Sequence, residues 1–164
     1  MMKASPMNHW LLKSEPTTYS IDDLKRDGRT CWEGVRNYQA RNFMRDGIKV
    51  GDLALFYHSN AEPPGIAGVA KIVRAAYPDP ESWNQKSKYY DAKAGSENPV
   101  WVMVDVGFVE KFPRLIPLEE IRRDKALTGM VLLQKGSRLS VQPVEKMHFE
   151  RILKLGQRVM PVNG

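Results

Sequence analysis

Apolar positions in this chain gather in short runs with the two-residue rhythm of strands, separated by polar stretches that carry helix punctuation. Residues 9–13 (His-Trp-Leu-Leu-Lys) form the first run, and Pro16 closes it because proline takes a donor out of a strand ladder. Ser20, with Asp23 three positions on, is a capping box for a short helix that Gly28 ends. Residues 30–33 predict a brief strand. Asn37 is an N-cap for a helix over residues 38–46, ended by Gly47, with Ala40, Phe43 and Met44 turned inward. Residues 52–58 (Asp-Leu-Ala-Leu-Phe-Tyr-His) predict a strong strand. After the Pro63-Pro64 break, residues 66–76 return as a second one, with Gly68 as a bulge or close approach.

The pattern then lapses over residues 77–98, a long irregular segment rich in Pro, Asp, Ser and Lys with one helical turn after Pro80. It resumes at residues 101–109, β-branched and aromatic, as a long central strand. A short helix is expected over 117–123, a last strand over 139–141, and a terminal helix over 144–155, with Pro143 at its start, Gly156 past its end, and Val144, Met147, His148, Ile152 and Leu155 on one face. Strands dominate and helices interrupt them irregularly, which argues against a doubly wound parallel sheet. The prediction is an α+β fold, a small mixed barrel or curled sheet decorated by helices.

Composition narrows this to one domain. With 164 residues, 42% hydrophobic and 27% charged, the chain suits a single core. No run approaches the roughly 18 apolar residues of a membrane span, and residues 1–9 are too polar for a secretory signal. One cysteine, Cys31, cannot form an internal disulfide, so a reducing compartment is expected. The net charge of +6 comes from residues 111–164, with eleven basic against five acidic side chains. Such an excess favours a polyanionic partner, although basic proteins without one are common.

Catalytic constellations are scarce. No glycine-rich loop has phosphate-cradling spacing, and His9, His58 and His148 stand far apart without a cysteine pair, so neither a metal nor a cofactor is expected. Cys31 reads as a plain buried thiol, with a nucleophile near His58 as the lesser alternative. The segment 32–42 (Trp-Glu-Gly-Val-Arg-Asn-Tyr-Gln-Ala-Arg-Asn) is the most informative, with aromatics, amides and two arginines around a helix N-terminus. Arg36 and Arg41 are placed to meet phosphate, Asn37, Gln39 or Asn42 to read an amide or base edge, and Trp32 and Tyr38 to stack on a base. In the bland alternative Asn37 merely caps, the rings fill the core and the arginines are solvated. Polar residues also collect at strand ends: Lys13-Ser14-Glu15, Tyr57-His58-Ser59-Asn60 and Ser140-Val141-Gln142.

These four segments in this order, spanning about residues 9–156, resemble the EVE domain family. The resemblance implies a PUA-like small mixed β-barrel surrounded by helices, a single domain over residues 8–156, and flexible termini at 1–7 and 157–164. It also implies a non-catalytic module that binds DNA or RNA carrying a modified base, with 5-methylcytosine and 5-hydroxymethylcytosine in DNA as candidates. A flipped base would sit at the barrel mouth, in a pocket drawn from Lys13, Ser14, Trp32, Asn37, Tyr38, Tyr57, His58, Ser59, Ser140 and Gln142, with Lys13, Arg36 and Arg41 meeting phosphates. The alternative is a small-molecule or nucleotide sensor, or a hydrolase acting on a modified nucleotide with His58 or Glu15 as its base. No membrane or metal partner is expected. Eukaryotic members carry a Lys-rich leader where this chain has seven residues before Asn8, so a bacterial cytoplasmic protein with access to the nucleoid is expected.

Overall fold

A computed structural model describes residues 8–157 except Ser96, Asn98 and Ser137. Strand β1 (His9–Ser14) ends before Pro16, and α1 (Ile21–Asp27) starts at the expected capping box: the Ser20 hydroxyl accepts the Asp23 amide, the Asp23 carboxylate accepts the Ser20 amide, and Gly28 closes the helix at φ 78°. Strand β2 (Arg29–Trp32) leads to α2 (Tyr38–Asn42), which passes into a π-helical turn over Phe43–Gly47 instead of continuing as α-helix to Asp46. Strands β3 (Leu53–His58) and β4 (Gly65–Pro78) follow, and then the anticipated turn, a 3-10 turn at Pro80–Trp83. Strand β5 (Val102–Pro117) runs eight residues beyond its predicted end, directly into α3 (Leu118–Arg123).

The last two elements shift relative to the sequence pattern. Pro143 lies within β6 (Val141–Val144), opposite Trp10, because β6 is an edge strand where a missing N–H leaves no ladder bond unmade. Helix α4 therefore starts later and spans Lys146–Gln157. Gly156 lies inside it, where a Cβ would come within 2.6 Å of the Phe112 ring, so this glycine lets helix and strand touch. Met147, expected inward, is 65% exposed, and Phe149 fills the inner face in its place. Gln157 is thus helical, and the termini 1–7 and 158–164 lie outside the described residues.

The six strands form one mixed sheet in the order β2-β5-β4-β3-β1-β6, antiparallel except for the parallel pair β1–β3. Register shifts along β4 and β5 bend the long hairpin. Strand alternation divides two cores. Trp10, Leu12, Phe56, Ala70, Val104 and Val106 meet Ile21 and Leu24 of α1 on one face. Leu11, Leu55, Tyr57, Val69 and Phe112 meet Ile121 of α3 and Phe149, Ile152 and Leu155 of α4 on the other. Buried Asp52 is fully engaged, accepting from Trp10 Nε1 at 2.9 Å and from the amides of Lys49 and Asn8.

Candidate functional site

Strands β2 and β6 are the two ends of the sheet, and no ladder joins them among the described residues. Beside this seam the surface opens into a cleft of about 400 Å³. One wall is the end of β1 and the turn before α1 (Lys13, Ser14, Glu15, Thr18, Tyr19), together with Ser140 just before β6. The other is β2 from Thr30 to Trp32, continuing through Glu33, Gly34 and Val35, with Lys88 and Tyr89 from the long irregular segment laid over it. Trp32 is buried and set edge-on against Phe56, ring centres 5.4 Å apart, so packing fixes the face it turns to the cleft.

A buried ion pair holds the second wall. Asp79 is fully buried; its Oδ2 accepts from the Gly34 amide and from Arg36 Nη1, each at 3.0 Å, and its Oδ1 accepts the Glu81 amide at 2.9 Å. Arg36 also donates from Nε to the Tyr89 carbonyl and from Nη1 to the Val35 carbonyl, both at 2.9 Å. Gly34, at φ 81°, lies directly beneath the Tyr89 ring, where a Cβ would come within 2.6 Å of it. Only glycine allows both that backbone conformation and that approach.

Several polar side chains of the cleft have partners within the fold. The Ser14 hydroxyl donates to the Tyr19 carbonyl at 2.6 Å, and the Tyr19 hydroxyl donates to Asp27 at 2.8 Å, its pKa pushed up to about 12 by burial and that carboxylate. Glu15 accepts from Asn60 at 2.7 Å. The Lys13 amine lies 5.7 Å from the Tyr57 ring, its pKa lowered by burial, and the Lys88 amine lies 5.0 Å from the Tyr89 ring. Cys31 is exposed, correcting the expectation of a buried thiol, and desolvation in the cleft wall, with Glu33 and Asp105 nearby, pushes its pKa up. Glu33 makes no hydrogen bond or ion pair with any described residue, and desolvation, then Asp79 and Glu81, raise its pKa.

Of the anticipated pocket residues, the structure brings Lys13, Ser14, Trp32 and Ser140 together in the cleft. Asn37 lies outside it and accepts the Ala40 amide at 2.9 Å, a helix cap. Tyr38 is 52% exposed and stacks on Trp101 with centres 4.8 Å apart, flanked by Arg41, which donates to the Val100 carbonyl at 3.1 Å. Tyr57 points to the opposite face of the sheet, in the core under α3 and α4, because strand alternation separates it from Phe56. His58 Nε2 accepts the Ile21 amide at 3.1 Å at the start of α1, and burial lowers its pKa; this leaves it committed to the fold and away from Cys31. Ser59 donates its amide to the Ser14 carbonyl, and buried Gln142 donates to the Leu139 carbonyl at 2.9 Å. Sequence reasoning did not single out Thr18, Tyr19, Thr30, Lys88 or Tyr89 for the site. Lys86, Lys88, Tyr89 and Tyr90 form a basic–aromatic cluster in the irregular segment, and only the chain's return over Gly34 gives Lys88 and Tyr89 a place in the cleft.

Comparison with known proteins places the chain among relatives over nearly its full length. The EVE domain model matches residues 8–155. Thymocyte nuclear protein 1 of Homo sapiens is 45% identical over 170 residues, covering 92% of this chain and 75% of that protein. The crystal structure of a Pseudomonas syringae protein superposes with a TM-score of 0.87 at 49% identity, covering 90% of this chain and 99% of the other. Human THYN1 protein in complex with DNA containing 5-methylcytosine superposes with a TM-score of 0.85 at 43% identity, covering 93% and 99%. The architecture is therefore that of these domains, an α+β fold of PUA-like type with a six-stranded mixed sheet and surrounding helices.

Proposed function

This chain belongs to the EVE domain family, and on that premise we propose that it is a DNA-binding module that reads a modified cytosine by holding the base, turned out of the helix, in the cleft beside β2. The observation that carries this reading is the similarity, over 93% of the chain, to a protein whose structure holds DNA containing 5-methylcytosine. Extruding a base costs a few kcal/mol, which one aromatic platform and two or three buried hydrogen bonds offset. Trp32 and Tyr89 supply aromatic surface, Val35 supplies an apolar wall for a methyl group, and Lys88 supplies charge for a flanking phosphate. Arg36, bound to Asp79 and to the Tyr89 carbonyl, acts in this scheme by positioning the wall, whereas Arg41 donates to the Val100 carbonyl outside the cleft.

Binding without catalysis is the role the cleft chemistry supports. Its one thiol has a raised pKa, which disfavours the nucleophilic thiolate, and His58 is occupied at α1. The test is fluorescence anisotropy with DNA duplexes that carry cytosine, 5-methylcytosine or 5-hydroxymethylcytosine at one position, alongside matching RNA, at two salt concentrations. One methyl group in an apolar pocket supports about a tenfold preference, with overall affinity falling steeply as salt rises. Equal affinity for modified and unmodified DNA would overturn the reading.

A further inference from the structure

At its β2 end the sheet carries cations on a face that the C-terminal helices do not reach. The core under α3 and α4 takes in β4 only as far as Val69 and β5 only from Phe112 onward. Past that cover, Arg29 of β2 and Lys71 of β4 stand exposed on the face that alternates away from the buried Trp32, Ile72, Val104 and Val106. The register shift between Ile72 and Arg74 keeps Arg74, also exposed, on this face opposite Asp105. Of the three cations, Arg74 is held in place. Its guanidinium carbon lies 3.5 Å over the centre of the Tyr77 ring, the nearest cation–ring approach among the described residues. Tyr77 is fixed in turn: its hydroxyl donates to Asp105, whose other oxygen accepts from Arg29 at 2.9 Å. Burial and that carboxylate push the Tyr77 pKa up to about 12, so the hydroxyl keeps its proton at neutral pH. Arg74 itself makes no hydrogen bond or ion pair with a described residue.

We infer that Arg74, stacked on Tyr77 and with Lys71 beside it, seats the backbone phosphates of the bound DNA outside the cleft. This rests on the DNA-binding function proposed above and adds the surface that grips the duplex. A guanidinium laid flat on a ring keeps its N–H groups free around the edge, where two of them match two phosphate oxygens. The stack already fixes the orientation that such a contact needs, so little side-chain freedom is lost on binding. Charge on this face suits the same partner. Three cations stand with one carboxylate, and that carboxylate is occupied by Arg29 and Tyr77. Position connects the face to the cleft. Cys31 lines the cleft and lies opposite Asp105, which lies opposite Arg74, so Arg74 is two strand spacings, about 10 Å, from the β2 wall. That is about three 3.4 Å steps along one DNA strand. Lys71 and Arg74 lie opposite Gly107 and Asp105, two residues or about 7 Å apart along β5, a span of about two such steps. A strand with its base in the cleft therefore carries its backbone over the β2 edge onto these two cations.

The contact is read from the slope of log affinity against log salt, measured by anisotropy with duplexes carrying cytosine or 5-methylcytosine at the central position. Losing one phosphate contact makes that slope shallower by about 0.9, so with affinities converging near about 1 M salt, Arg74→Gln is expected to bind about eightfold more weakly at about 0.1 M. Both duplexes should lose equally, because a phosphate contact carries no sequence information. Arg74→Lys keeps the charge and the slope but loses the fork and the flat stack, and is expected to bind more weakly than the unsubstituted protein at every salt concentration. Lys154→Gln removes the same charge from an exposed position on α4 and is expected to leave slope and affinity unchanged. The inference is overturned if Arg74→Gln keeps the full slope, if it abolishes a base preference that the unsubstituted protein shows, if Arg74→Lys binds as tightly as the unsubstituted protein, or if Lys154→Gln loses as much as Arg74→Gln. Failure of the base-reading proposal shows elsewhere: the unsubstituted protein then binds the cytosine and 5-methylcytosine duplexes equally, whatever Arg74→Gln does to the slope.

Discussion

Replacing Asp79 by Asn tests whether the buried ion pair holds the cleft wall. The exchange keeps size and shape but turns one acceptor atom into a donor. If the new NH2 takes the place of Oδ2, it faces two donors, the Gly34 amide and Arg36 Nη1; if it takes the place of Oδ1, it faces one, the Glu81 amide. The second orientation is cheaper and still leaves a buried backbone N–H unsatisfied, at about 1–3 kcal/mol. Arg36 also loses its counter-charge. Removing one partner of a fully buried pair costs about 3–5 kcal/mol, but the Arg36 side chain is 21% exposed and water relieves part of that. The combined expectation is about 2–4 kcal/mol, measured as the change in unfolding free energy in urea at neutral pH. Because Arg36→Met removes the charge that Asp79 neutralises, the double variant should cost less than the sum of the singles by about 1 kcal/mol or more. A single-variant loss below about 0.5 kcal/mol, or strict additivity in the cycle, would refute the reasoning.

Two further outcomes follow from groups that the structure assigns to the fold. Asn37→Ala should lower stability by about 1 kcal/mol through the lost cap and leave affinity for 5-methylcytosine DNA within about twofold; a lost base preference would return Asn37 to the site. His58 accepts an amide proton only when neutral, and burial sets its folded pKa below the unfolded value, as it does for His9. The stability it contributes is therefore present above about pH 6.5 and lost as pH falls below that through the folded value. Urea midpoints between about pH 7.5 and pH 5 should fall less steeply in His58→Gln, and an unchanged slope would remove His58 from the account.

Local chemistry made much of the fold legible. The Ser20–Asp23 box, the Asn37 cap, Gly28 and the apolar run before His58 act over a few residues, and each appears where its pattern placed it. Pro143 misled because a proline opens helices and also tolerates edge strands, and only the sheet order reveals that β6 is an edge. For the candidate site the limits are of another kind. Trp32, Lys13, Ser14 and Ser140 stand at strand ends, where polar and aromatic residues cluster visibly. Tyr57 shares a strand with Phe56 but not a face, a distinction the period of two makes once it is known which face is which. Lys88 and Tyr89 arrive through a long irregular segment anchored by Arg36 and Asp79, contacts that span 53 and 43 positions and leave no local trace.

The unjoined seam between β2 and β6 bears on how a ligand enters. Along the interior of a sheet, widening a gap by even an ångström breaks ladder hydrogen bonds, whereas here the strands flanking the cleft are tied only on their outer sides, β2 to β5 and β6 to β1. Across the seam the two edges are held by side-chain packing instead, Trp32 and Val35 on one side sharing a core with Val141 of β6 on the other. A cleft at such a seam can change its width at the cost of side-chain contacts alone, with every ladder bond kept.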